Sequence, residues 1–203
     1  MIFCALGVAL CANAGFGVSM IEAPVYVTYL KLSQISTWFT YGKCEYILQA
    51  IGLMLMCLII RQFKWQYLLS FAAAVIFGFI LDGWRLLVGN AVYSILSLRI
   101  VSWIAGTLIT TFAVACFFRT ELPLQIWELI VKEISDVFHK DITRVKWIYD
   151  FTSLAVGIIL MFIFFQGFNW QAIGIGTIIT TLINAPLIGL FGKLIDRIYP
   201  KKN

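Results

Sequence analysis

The side chains with the most chemical potential in this chain are polar and acidic residues set at helical spacing inside apolar sequence. Glu45 and Gln49 stand at i and i+4, on one face of a helix whose other residues are largely apolar. A charged group inside a membrane is costly unless it faces a bundle interior, so these two are candidates for a solute path or binding site. Asp82 and Arg85, at i and i+3, are expected to form a structural ion pair. Thr177, Thr181 and Asn184 recur at i, i+4 and i+7, and Pro186 just beyond removes a backbone hydrogen bond. That stripe either lines a path or packs helices together. Near the start, Asn13-Ala-Gly-Phe-Gly-Val-Ser-Met-Ile-Glu-Ala-Pro24 interrupts an apolar run. Gly15 and Gly17 permit non-helical backbone, and Ser19 with Glu22 matches a capping box that would start a new helix. Such a helix start at membrane depth would attract an anionic group, so Asn13, Ser19 and Glu22 join the candidates. The alternative is an outer turn that opens an interfacial helix.

Enzyme chemistry finds no support. His139 is the only histidine, which removes His-based triads and multi-histidine metal sites. Gly174-Ile-Gly176 lacks the strand, third glycine and acidic partner of a dinucleotide fingerprint. The five cysteines, Cys4, Cys11, Cys44, Cys57 and Cys116, show no CxxC spacing. We therefore expect no catalytic residue, no metal and no cofactor.

The elements that must position these residues are membrane spans. Of 203 residues, 62% are hydrophobic and 12% charged, against about 25% charged in a soluble domain. Apolar stretches of about 20 residues match the thickness of a hydrocarbon core. Six spans are expected, at residues 1–18, 42–61, 66–85, 96–118, 147–165 and 173–193. The first lacks a basic stretch before it, so it reads as a span and not a signal peptide. It begins inside a helix, so it is short or the true start lies upstream. Loop bases on one side are Arg61, Lys64, Arg119, Lys132, Lys140, Arg144, Lys146, Lys193, Arg197, Lys201 and Lys202, against Lys31, Lys43, Arg85 and Arg99 on the other. The positive-inside rule then places both termini in the cytoplasm. It also explains the net charge of +5 without nucleic acid.

Residues 45–66 align without a gap to residues 150–171, a spacing of 105 from Glu45 to Asp150. Ala50, Gly52, Leu55, Met56, Phe63, Trp65 and Gln66 match Ala155, Gly157, Leu160, Met161, Phe168, Trp170 and Gln171. Pro24 and Pro123 occupy similar places upstream once an indel is allowed. The expected fold is therefore all-α and polytopic, one membrane domain over 1–203, with six transmembrane helices as two inverted three-helix repeats, 1–90 and 96–198. An odd number of spans per repeat reverses the second, as in many transporters that place the solute path at the repeat interface. Asp150 becomes a candidate as the repeat partner of Glu45.

Two segments do not span. Ser19 to Leu32 is interfacial or re-entrant. Leu122 to Phe138 alternates Ile126, Leu129, Ile130, Ile134 and Val137 with Glu128, Lys132, Glu133 and Asp136, as a helix lying on the inner surface or packing beneath the bundle would.

Leu6-Gly-Val-Ala-Leu followed by Asn13-Ala-Gly-Phe-Gly-Val-Ser19, with the late Gly174-Ile-Gly-Thr177 and Ala185-Pro-Leu-Ile188, resembles the bacterial YczE/YyaS/YitT group of small membrane proteins. That group often has proline directly after the serine, where this chain has Met20. The resemblance implies a bacterial inner-membrane protein more than any activity. The functional expectation is a small-solute transporter or permease in the lipid bilayer. The alternatives are a substrate-binding subunit of an energy-coupling vitamin transporter, docking through Ala5-x-x-x-Ala9 of the first span, and a scaffold or assembly factor binding a partner protein through Leu122 to Phe138.

Overall fold

The computed structural model describes residues 1–119 and 125–198. Among these the regular structure is helical: α1 (Ile2–Ala14), α2 (Ala23–Ile35), α3 (Tyr41–Ile60), α4 (Gln66–Val88), α5 (Leu96–Phe117), α6 (Ile126–Phe138), α7 (Ile142–Phe165) and α8 (Ile175–Ile198). Pro123 and Leu122, invoked above for the repeat and the amphipathic segment, lie outside the described residues, as do Lys201 and Lys202.

Four helical stretches are long and apolar enough to cross a membrane: Tyr41–Ile60, Gln66–Val88, Leu96–Phe117 and Arg144–Phe165. A fifth crossing is counted if Ile175–Asn184 and Pro186–Ile198, bent by 43°, act as one span. The bend falls where proline removes an N–H from the helical ladder. Large apolar side chains point outward along these helices, among them Leu58, Phe79, Leu86, Ile148 and Ile163, as lipid contact requires. By helix length and composition the described residues thus supply four or five of the six expected spans. α1 has 13 residues, only about 20 Å of helix. It stops because Gly15 adopts φ 66° and Gly17 φ 95°, values that a helix cannot use.

The chain divides into two compact units, each drawn from both halves of the sequence. The first comprises Met1–Ser19, Gly83–Leu122 and Trp170–Asn203. In it α1 lies against α5 and α5 against α8. Gly7 and Gly106 set the first crossing, since a Cβ on either would stand 2.7 Å from the carbonyl oxygen of the other. Ala5 and Ala9 have no exposed surface, so the small-residue stripe of α1 packs within the chain. Arg119 grips Asp196 with two bonds of 2.7 and 2.8 Å.

The second unit comprises Met20–Asp82 and Pro123–Asn169. α2 contacts α3 and α7, and α6 contacts α3 and α7. Its apolar core joins Leu53, Met56 and Ile60 of α3, Tyr67 and Ala74 of α4, and Ile126, Leu129 and Ile130 of α6. The four charged residues set apart from the apolar face of α6 do not share one environment. Lys132 and Asp136 are exposed, but Glu128 and Glu133 are buried. Glu133 accepts from Lys64 Nζ at 2.7 Å and from the Tyr67 hydroxyl at 2.8 Å. It follows Leu129 by four residues and Ile130 by three, so it shares their face, and only these donors make its burial tolerable.

Candidate functional site

In α3, Tyr41, Glu45 and Gln49 recur every fourth residue and form one polar stripe on an otherwise apolar helix. All three are buried, Glu45 and Gln49 with 0% exposure. Thr40 starts the helix by accepting from the Lys43 N–H at 3.2 Å. Glu45 Oε1 accepts two bonds, from Gln49 Nε2 at 2.7 Å and from Trp127 Nε1 of α6 at 2.8 Å. Gln49 Oε1 in turn accepts from the Ile126 N–H at 3.3 Å, which satisfies one of the free donors at the start of α6.

Glu22 completes the cluster. It is the N-cap residue of α2 but caps nothing with its side chain. The expected Ser19–Glu22 capping box is therefore not formed: the helix starts at Ala23, and the Glu22 carboxyl turns inward to accept the Tyr41 hydroxyl at 2.9 Å. Its remaining partner is the Glu45 carboxylate. Two carboxyls can hydrogen-bond to each other only if one carries a proton. Glu45 Oε2 has no N–H or hydroxyl donor among the described residues, which leaves it to the Glu22 proton. Burial, reinforced by the charge of Glu45, holds the Glu22 carboxyl well above the usual carboxylate range. Tyr26, Tyr29 and Tyr41 pack as a ring cluster beside it, with centroids 5.1 to 5.8 Å apart.

Glu128 of α6 extends the acidic set. It is 6% exposed, and its Oε2 has no hydrogen-bond partner. Burial pushes its carboxyl up to about 7, opposed by the nearby Lys146 charge and assisted by Glu45 and Asp150. Lys146 itself is committed to Asp150 at 2.7 Å, one turn along α7. Because folding raises the Glu128 affinity for its proton, this group favours the fold most below its free value. That contribution is lost as pH rises toward 7. Glu128→Gln should therefore flatten the pH profile of stability, gaining on the parent by about 3 kcal/mol between pH 4.5 and 8. Melting temperatures of both proteins in detergent at several pH values check this.

The other candidates lie elsewhere. Asn13, 1% exposed, belongs to the first unit, where its Oδ1 accepts from Arg85 at 2.8 Å and its Nδ2 donates to the Gly89 carbonyl at 2.7 Å. Arg85 also donates to the side chain and carbonyl of Asn90. Asp82, its expected ion-pair partner, accepts the Thr40 hydroxyl and the Gly42 N–H at 2.8 Å. Thr177 donates to the Val18 carbonyl at 2.7 Å, and the Gly176 N–H donates to the Phe16 carbonyl at 2.7 Å. The two glycine-rich motifs thus meet backbone to backbone, with Ser19 at the edge of that crossing. Thr181 bonds back to the Thr177 carbonyl, and Asn184 accepts from Thr111 of α5 at 3.1 Å.

Sequence reasoning singled out Glu22, Glu45 and Gln49 but not Tyr41, Trp127, Glu128 or Lys146. Tyr41 continues the four-residue stripe and was open to discovery. Glu128 faces away from the apolar stripe of α6, and only the packing of α7 against that helix buries it.

Residues 1–193 match a family of unknown function (DUF6198). The uncharacterised protein YyaS of Bacillus subtilis (strain 168) is 25% identical over 203 residues, covering 98% of this chain and 91% of that protein. No solved structure matches the chain.

Proposed function

We propose that this chain, which belongs to the DUF6198 family of unknown function, is a multi-pass membrane carrier that couples a small solute to a proton held by Glu22 and Glu45. The observation that carries this reading is a buried pair of carboxyls, Glu22 beside Glu45, held by donors from distant parts of the sequence. Membrane proteins retain such costly groups mainly on ion or substrate routes.

Two inverted repeats remain the preferred architecture. Arg61 and Gln166 occupy equivalent repeat positions, and both take the left-handed conformation, at φ 56° and 52°. Gly52 and Gly157 are also equivalent. Gly52 admits Trp127 and Ile130 of α6, while Gly157 admits Ala23 and Pro24 at the start of α2. Exchanging the halves turns the α2–α3 and α2–α7 contacts into α6–α7 and α6–α3, all of which occur. The acidic cluster then sits where the repeats meet, as expected for a solute path. A sixth crossing would be α1 continued by the non-helical residues 15–19, in which Phe16 and Val18 bond through their backbone to Ala172, Gly176 and Thr177. With that crossing, both termini lie in the cytoplasm of a bacterial cell, beneath its inner membrane. The scaffold reading is weaker, because Ile126, Leu129, Ile130 and Val131 of α6 are buried within the chain.

The test is reconstitution into liposomes with an entrapped pH dye and a panel of neutral, anionic and cationic metabolites. At least one solute should move protons through the parent protein and not through Glu22→Gln or Glu45→Gln. Proton movement with none of them would overturn the proposal.

A further inference from the structure

The polar inventory of the acidic cluster is lopsided, and the imbalance specifies a ligand. Its donors are spent: the Tyr41 hydroxyl goes to Glu22, Gln49 Nε2 and Trp127 Nε1 go to Glu45, and the Ile126 N–H goes to Gln49. Two buried acceptors remain, Glu45 Oε2 and Glu128 Oε2, neither with an N–H or hydroxyl donor among the described residues. Charge is equally one-sided. Glu22, Glu45 and Glu128 lie near one another, and Lys146, the base beside Glu128, is already paired to Asp150. Asp82 of α4 is held separately by Thr40 and Gly42 at the start of α3.

We infer that the solute is a compact organic cation carrying N–H donors, a guanidinium or primary ammonium group, accepted by Glu45 and Glu128 in exchange for the Glu22 proton. The inference rests on the carrier reading above. A ligand that meets acceptors and no donors must itself donate, which disfavours carboxylates and phosphates. A polyol would leave its own acceptors unpaired. Among the described residues no three acidic, cysteine or histidine groups converge as metal ligands do. Exchange conserves charge: one cation enters, and the proton leaves Glu22 for the aqueous phase.

The probe is guanidinium at millimolar concentration, added to the full chain purified in detergent and followed by calorimetry. If guanidinium displaces the Glu22 proton, affinity should rise about tenfold per pH unit above pH 7, and more steeply below it, where Glu128 must also give up a proton. Binding should weaken at least about tenfold in Glu128→Gln and vanish in Glu45→Gln. The pH slope is measured on the parent protein, so it stands even if a variant misfolds. In dye-loaded liposomes, outside guanidinium should then drive protons out. Equal binding of potassium, or guanidinium binding without a pH slope, overturns the inference. If a neutral or anionic metabolite moves protons through Glu45 while guanidinium does not, the cation assignment falls and the carrier reading stands. If no solute moves protons, both fall.

Discussion

Gly17→Ala is expected to lower the melting temperature of the purified protein by about 10 °C, which corresponds to about 3 kcal/mol for a chain of this size. Two costs combine. Gly17 sits at φ 95°, a backbone region that costs a side-chain-bearing residue about 1–3 kcal/mol. The added Cβ would also lie 2.3 Å from Thr177 Oγ1 and 2.5 Å from the Gly174 nitrogen. The second of these is backbone, and it is held by the bonds that join residues 16–18 to residues 172–177. It cannot swing aside as a side chain would, so the crossing must spread. Gly174→Ala attacks the same place from the other strand, where its Cβ would stand 2.5 Å from the Phe16 carbonyl oxygen. The controls are Gly83→Ala and Gly189→Ala, where nothing lies within 4 Å of the added atom. Both sit within helices, so alanine there should be neutral or stabilise by about 0.5–1 kcal/mol. Thermal unfolding and the monodisperse fraction on size exclusion separate the two classes.

This contrast also marks what could be read before folding. Both glycine motifs were visible in the sequence, as was the bend at Pro186, because glycine and proline act through local backbone geometry. That the motifs bond to each other was not visible, since they lie more than 150 residues apart, as Thr177 does from Val18. Local rules also erred where tertiary partners outbid them. Ser19 and Glu22 have capping-box spacing, yet the carboxyl is drawn to Tyr41 instead. Asp82 and Arg85 have ion-pair spacing, yet Asp82 takes Thr40 and Gly42 while Arg85 reaches Asn13 and Asn90. Hydrophobicity located the spans but overstated the first, because Leu6 to Val18 stays apolar through the glycines that end α1. Glu45 and Gln49 were legible as a face, but their full burial depends on α6, whose Trp127 and Ile126 supply the closing bonds.

Glu45 should give the sharpest split between structure and function. In Glu45→Ala, Gln49 Nε2 and Trp127 Nε1 both lose their acceptor, the first fully buried and the second on a half-buried ring. Each orphaned donor costs about 1–3 kcal/mol, so this variant should lose about 3 kcal/mol and melt early or aggregate. Glu45→Gln should behave differently. Its carbonyl oxygen can accept the same two donors, and its amide can donate to Glu22. The fold should therefore persist, with a melting temperature within about 3 °C of the parent. What the amide cannot do is exchange a proton with Glu22, because it stays neutral throughout the accessible pH range. The pair then ceases to titrate as a unit. Any solute-driven proton movement in liposomes should fall to the protein-free background. If Glu45→Gln instead retains proton movement at the parent rate while folding normally, the hydrogen bonds of Glu45 are purely architectural and the proton must travel by another group. Glu45→Asp would then resolve geometry from charge, since it keeps an ionisable carboxyl but withdraws it from Gln49 and Trp127.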